Sequence, residues 1–129
     1  MKPEKFDPES LFCEANELAS AGEHNEAVAA FKRLVTSEID ARFHIAYARS
    51  LQALGQWEES ITQFRAGLDL KPHYCEGDAR LMLAESLIKI GKKRRAIDEW
   101  RIVAAMAPEY PSYEVVQNEA KANLAKHAV

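Results

Sequence analysis

Apolar residues recur along this chain at spacings of three and four positions, in segments of helical length. Leu11, Ala15 and Leu18 open the series, and comparable segments continue to Ala104. This spacing places the apolar residues on one face of an α-helix and does not match the alternation of a half-buried strand. The segments come in pairs, with a glycine between the two members of each pair. The pattern therefore predicts an all-α chain built from helical hairpins.

One set of residues occurs three times at a constant offset. The three copies are Ala15, Leu18, Gly22, Ala27 and Phe31; Ala48, Leu51, Gly55, Ser60 and Phe64; and Ala84, Leu87, Gly91, Ala96 and Trp100. The offset is 33 residues from the first copy to the second and 36 residues from the second to the third. A constant offset indicates one structural unit stacked on copies of itself. We expect the glycines to end the first helix of each hairpin, and Pro72 and Pro108 to stop the second helix of copies two and three.

The copies resemble the tetratricopeptide repeat family, whose unit of about 34 residues joins Trp-x-x-Leu-Gly-x-x-Tyr to Ala-x-x-x-Phe and a proline. The matching segments are Leu11-x-x-Glu14-Ala15-x-x-Leu18 with Ala27-x-x-x-Phe31, His44-x-x-Tyr47-Ala48-x-x-Leu51 with Ser60-x-x-x-Phe64, and Arg80-x-x-Leu83-Ala84-x-x-Leu87 with Ala96-x-x-x-Trp100. The resemblance implies a right-handed superhelical stack of three helical hairpins, at about residues 8–40, 41–76 and 77–110. Residues 111–129 are expected to form a C-terminal capping helix and tail, because the last apolar face of a stack needs a cover.

The composition excludes several classes of function. The chain has 129 residues, with 17 Lys and Arg against 20 Asp and Glu, and the net charge of −3 gives no bulk attraction to nucleic acid or to an anionic membrane. No apolar run approaches the roughly 20 residues of a membrane-spanning helix. Met1–Ser10 lacks the apolar stretch of a secretory signal. We therefore expect a cytoplasmic protein that binds no nucleic acid and does not insert into a membrane. We also expect no cofactor.

The resemblance also implies a binding groove, because the first helix of each tetratricopeptide repeat lines the concave side of the stack. Carried over residue by residue, the implied binding residues are Phe12, Asn16, Arg42, Ile45, Arg49, Leu81, Met82, Glu85 and Lys89. The core pattern of the hairpins does not require Ile45, Leu81 or Met82, so we expect an exposed apolar strip there, and such strips often mark binding sites. The lysine, asparagine and arginine cluster with which some family members hold a terminal carboxylate is largely absent.

The favoured hypothesis is a protein–protein interaction module with an adaptor, scaffold or chaperone-like role and no enzymatic activity. A peptide or helical segment of a partner would lie on the apolar strip, with Arg42, Arg49 and Glu85 setting its orientation. Two alternatives stay open. The strip could pack against the C-terminal helix or a neighbouring copy, or the groove or the C-terminal helix could form a homodimer.

A third alternative, from a different class, is a metal-dependent enzyme built on the join between copies two and three. This segment contains His73, Cys75, Glu76 and Asp78. Their side chains can bind metal ions, but neither a Cys-x-x-Cys nor a His-x-x-x-His spacing is present. No metal ligands are assigned on this basis, and a solvated turn is the favoured interpretation.

The segment Lys92–Arg95 is entirely cationic. Positive charge at the start of a helix opposes the helix macrodipole, so this segment does not serve helix stability. The favoured interpretation is a set of ion pairs one turn apart, Arg94 with Asp98 and Arg95 with Glu99. The alternative is an anchor for an acidic partner.

Overall fold

The computed structural model describes residues 6–107 and 112–127, and within these ranges the chain forms seven α-helices and no strand. The helices are α1 Pro8–Ser20, α2 His24–Ser37, α3 Ala41–Ala53, α4 Trp57–Asp69, α5 Glu76–Lys89, α6 Lys93–Ala104 and α7 Ser112–His127. The all-α prediction is confirmed, while the predicted helix stop at Pro108 lies outside the described residues. Among the helices described, none has the length and apolar content needed to cross a membrane.

A glycine with left-handed backbone geometry ends the first helix of each hairpin. The φ angles of Gly22, Gly55 and Gly91 are 81°, 74° and 78°, in a region that residues with a Cβ rarely adopt. The residue after each glycine donates its amide to a carbonyl five positions earlier, as Glu23 does to Leu18 at 2.9 Å. This closure satisfies carbonyls that the helix end leaves free, so the predicted role of the glycines is confirmed.

The helices are arranged in an inner and an outer row. The first helices of the hairpins, α1, α3 and α5, and then α7, each contact the next helix of the same row. In the part of the chain that the structure describes, α2, α4 and α6 contact the inner row but not one another. The inner row is therefore the more tightly packed side, and the stack is concave there. The predicted stack of three hairpins is confirmed.

Alanines allow the inner helices to approach their neighbours closely. Ala15, Ala48 and Ala84 are completely buried, and so is Ala120 on α7. Ala120 follows Ala84 by the same 36 residues that separate copies two and three. The helix α7 thus takes the place of the first helix of a further hairpin, and it covers the third hairpin by packing against both α5 and α6.

A chain of hydrogen bonds, centred on the buried hydroxyls of Ser60 and Ser86, connects the second hairpin to the third. Gln52 Nε2 donates to the Met82 carbonyl at 2.6 Å and to Ser86 Oγ at 2.7 Å. The Ser86 and Ser60 hydroxyl oxygens are 2.7 Å apart, and the Ser60 hydroxyl donates to the Trp57 carbonyl at 2.6 Å. Because sliding one hairpin along the other would leave the buried hydroxyls of Ser60 and Ser86 without these partners, the network holds the register of the stack.

The longer offset between copies two and three corresponds to a turn packed under α7. The helix α4 ends at Asp69, and Lys71 has a positive φ of 56° immediately before Pro72. The hydroxyl of Tyr113 on α7 donates a hydrogen bond to the carbonyl of His73 in this turn. The additional residues therefore connect the second hairpin to the capping helix as well as to α5.

The prediction that Arg94 pairs with Asp98 and Arg95 with Glu99 is wrong. Glu99 is 7% exposed and accepts from Arg80 Nη1 of α5 at 2.7 Å, because its side chain faces the interior of the hairpin. Asp98 lies 4.0 Å from Arg101 instead. All four side chains of the segment Lys92–Arg95 are exposed, and none forms an ion pair within residues 6–107 and 112–127. The start of α6 therefore carries uncompensated positive charge.

Leu51→Ala should lower the free energy of unfolding by about 2 to 5 kcal/mol, because the truncation leaves a cavity inside the stack. Leu51 is 1% exposed, whereas Ile39 is 86% exposed. Ile39→Ala is therefore the control, with an expected change within about 0.5 kcal/mol. Urea unfolding followed by circular dichroism measures both values. Equal losses for the two variants would contradict the packing described here.

Lys93→Glu should raise the free energy of unfolding by about 0.3 to 1 kcal/mol, because it places negative charge at the positive end of the α6 macrodipole. Arg101 lies in the last turn of the same helix. The matched reversal, Arg101→Glu, should lower stability. Urea unfolding at low and high salt measures both changes, which should shrink as salt screens the charges. A destabilised Lys93→Glu variant would refute this electrostatic explanation.

Candidate binding groove

The inner row of helices borders two adjoining cavities. The first has a volume of about 670 Å³, and the residues around it include Phe12, Asn16, Ser20, His24, Arg42, Ile45, Arg49 and Cys75. The second has a volume of about 410 Å³ and is lined by Ile45, Arg49, Cys75, Asp78, Leu81, Met82, Glu85 and Glu119. Because Ile45, Arg49 and Cys75 line both, we treat the cavities as the N-terminal half and the C-terminal half of one groove.

All the binding residues implied by the family resemblance line this groove except Lys89. Lys89 is exposed, and its ammonium nitrogen lies 5.6 Å from the centroid of the Trp57 ring on α4. The attraction between a cation and an aromatic face favours this position, so Lys89 lies against the neighbouring hairpin and does not line the groove. The structure brings the other residues together, while their role in binding stays a prediction.

Several polar residues of the groove were not among the predicted ones. They are Ser20, His24, Ser50, Cys75, Asp78 and Glu119. Ser20 and His24 flank the turn between α1 and α2, and Cys75 and Asp78 lie at the start of α5. Glu119 comes from α7, which the sequence predicts only as a capping helix. Extending the 36-residue offset from Ala84 to Ala120 would have placed α7 in the inner row, but it aligns Glu119 with the buried Leu83, so it would not have identified Glu119 as a groove residue.

Ile45 belongs to the core as well as to the groove. It is 8% exposed, and a Cβ on Gly67 of α4 would come within 2.9 Å of its Cγ1 atom. The glycine therefore leaves the space that Ile45 fills, and the expectation that the core does not require Ile45 is wrong. Leu81 and Met82 are half-buried and pack against the cluster that contains α7. In the apolar strip, Ile45 is thus buried, whereas Leu81 and Met82 are partly accessible from the groove.

Arg42 is occupied by contacts within the protein. Its Nη2 atom lies 2.5 Å from Glu9 Oε1 and 2.7 Å from Asp40 Oδ2. Its guanidinium carbon lies 5.1 Å from the centroid of the Phe12 ring and 5.4 Å from that of Phe43. Hydrogen bonds from Arg42 lower the pKa of Asp40 below its ordinary value of 3.8. Arg42 therefore ties α1 to α3 at the edge of the groove, and its charge is balanced before any ligand arrives.

Arg49 differs from Arg42 although both lie on α3. Its side chain is exposed, and no carboxylate of the described residues lies within ion-pair distance of it. It also lines both halves of the groove. Arg49 is therefore a cation that a ligand can reach from either half.

The join between α4 and α5 offers one partly buried thiol and no metal site in the described ranges. Within residues 6–107 and 112–127, no three His, Cys, Asp or Glu side chains are grouped so that they could hold a metal ion. Burial, followed by the nearby carboxylate of Asp78, raises the pKa of the Cys75 thiol. Because the thiolate is the metal-binding and nucleophilic form, Cys75 is poorly suited to either role near neutral pH.

Sequence comparison identifies a family but no individual relative. The family model described as tetratrico peptide repeat matches residues 8–124, which include all six helices of the hairpins and most of α7. A comparison of the sequence with curated proteins returns no match.

Solved structures share this fold at low sequence identity. PcrH from Pseudomonas aeruginosa has a TM-score of 0.85 at 21% identity, over 99% of this chain and 96% of that chain. The Yersinia enterocolitica type III secretion chaperone SycD, in complex with a peptide of the translocator YopD, has a TM-score of 0.83 at 21% identity, over 92% and 90% of the chains. An alternative dimer of SycD has a TM-score of 0.82 at 21% identity, over 93% and 90%. At these identities the likeness concerns the fold.

Arg42→Gln should destabilise the protein by about 1 kcal/mol at neutral pH, because it removes the partly exposed ion pairs with Glu9 and Asp40. The lowered pKa of Asp40 means that its stabilising effect is present above pH 3.8 and is lost as the pH falls through the folded-state value. The difference between the wild-type chain and the variant should therefore shrink in acid. Urea unfolding from pH 7 to pH 3 measures it.

Arg49→Gln is the control for this series, because Arg49 has no ion pair to lose among the described residues. Its effect should stay within about 0.5 kcal/mol at every pH. A difference between wild type and Arg42→Gln that stays constant down to pH 3 would show that Asp40 does not depend on Arg42.

Proposed function

This chain belongs to the tetratricopeptide repeat family, and we propose that it is a non-catalytic binding protein that holds a peptide segment of a partner protein in the groove. The observation that carries the proposal is the position of Arg49, which is exposed and unpaired among the described residues beside Ile45, Leu81 and Met82. Apolar walls with a few well-placed polar groups are typical of binding sites. A polar group that the fold itself does not use is available to a ligand.

The solved structures of similar fold support the same class of occupant. SycD was solved with a peptide of YopD, so a protein of this fold holds a peptide segment of a partner. For this chain we propose a peptide segment of a client protein and an adaptor, scaffold or chaperone-like role. We place this role in the cytoplasm.

Homodimer formation is the second candidate. Val115 on the C-terminal helix α7 is 68% exposed, so this helix presents an apolar side chain that a second copy can contact. A dimer of SycD has also been solved. Light scattering over a range of protein concentrations separates the two candidates, because a strict monomer at high concentration would remove the dimer.

The metal-dependent enzyme is the weakest of the three candidates. It would require the join around His73 and Cys75 to gather ligands that are not grouped in the described residues. Elemental analysis of the purified protein tests it directly, since the absence of a stoichiometric metal ion would remove this candidate.

Peptide selection from a random display library tests the proposed function. The selected peptides should lose about tenfold or more in affinity for the double variant Arg49→Ala/Met82→Ala, because these truncations remove an accessible cation and an apolar wall from the groove. Fluorescence anisotropy with labelled peptides measures the dissociation constants. Thermal unfolding of each variant shows whether its fold is intact.

The double variant Arg65→Ala/Ile102→Ala is the matched control. It also removes one exposed cation and one exposed apolar side chain, but Arg65 lies on α4 and Ile102 on α6, outside the groove. Peptide affinity should be unchanged in this variant. If affinity instead falls in the control and persists in the groove variant, the partner binds the outer row of helices and the proposal is wrong.

A further inference from the structure

The two halves of the groove differ in charge. The C-terminal half is lined by three carboxylates, those of Asp78, Glu85 and Glu119, and among its lining residues the cation is Arg49. None of these four side chains forms an ion pair with another described residue. The C-terminal half therefore presents excess negative charge that the fold does not neutralise.

The N-terminal half has no comparable excess that is free to act on a ligand. Its charged lining residues are Arg42 and Arg49. Arg42 forms ion pairs with Glu9 and Asp40, so its charge is neutralised within the protein and links α1 to α3. Arg49 lies at the boundary and is shared by both halves. The charge contrast along the groove thus depends on the acidic residues of α5 and α7.

The carboxylates of the C-terminal half line the same cavity as a group of apolar side chains. Ile45 is 8% exposed, Leu81 and Met82 are half-buried, and all three line the same cavity as the carboxylates. Lysine and arginine match such a surface, because their aliphatic stems lie on apolar side chains while their charged ends stay near carboxylates and water. An acidic ligand side chain would be repelled at the same place.

We propose that the segment held in the C-terminal half of the groove is a peptide that carries a lysine or arginine next to an apolar residue. The apolar side chain contacts Leu81 and Met82, and the cation lies among the carboxylates of Asp78, Glu85 and Glu119. This inference rests on the proposed function and adds to it the chemistry of the partner.

The test compares the sequences and affinities of library peptides selected on the wild-type chain. Peptides that depend on the groove should be enriched in Lys or Arg beside an apolar residue. Their affinity should fall about tenfold for Glu85→Gln/Glu119→Gln, in which two partly solvated charge interactions are lost. It should also fall with added salt, and this salt dependence should be weaker in the variant.

Glu58→Gln/Glu59→Gln is the matched control, because it removes the same two charges from the exposed start of α4, outside the groove. Peptide affinity should be unchanged there. Peptides that lose affinity for Arg49→Ala/Met82→Ala but lack cations, or that bind Glu85→Gln/Glu119→Gln as tightly as wild type, would overturn this inference and leave the proposed function standing. A library that yields no groove-dependent peptide would overturn both.

Discussion

The burial of small residues where the inner helices meet their neighbours is the contact on which the rest of the structure depends. Ala15, Ala48, Ala84 and Ala120 are completely buried, and larger rings such as Phe31 fill the space that they leave. The inner helices α3 and α5 each pack against two outer helices, one of which belongs to the preceding hairpin, so a single hairpin cannot cover its own apolar face. The contacts along the inner row close that side of the stack, and the groove is a consequence of this asymmetry.

The same helix can therefore supply both structural and accessible charges, according to where along its length a residue lies. Arg42 is at the start of α3, beside the capping Asp40 and within reach of Glu9 on α1, and its charge is used within the fold. Arg49 lies about two turns further along the helix, where no carboxylate of the described residues comes within ion-pair distance. Arg49 is therefore available to form an ion pair with a ligand, whereas the charge of Arg42 is already paired within the protein.

The sequence predicts the fold because its signals are local and repeated, whereas details of the groove depend on contacts between distant positions. The turn glycines and buried alanines recur at a constant offset, so each copy supports the interpretation of the others. The burial of Ile45 depends on the missing side chain of Gly67 in the next helix, and Glu99 turns inward to Arg80 rather than along its own helix. Helical spacing within one segment carries no information about either contact.

A crystal structure of the chain with its tightest-binding library peptide tests the central claim most directly, namely that the concave row of helices is the binding surface. The peptide should lie in the groove, contact Arg49 and Met82, and place a cation within about 4 Å of Glu85 or Glu119. A peptide bound on the outer surface of α2, α4 and α6, with the groove left open, would contradict it.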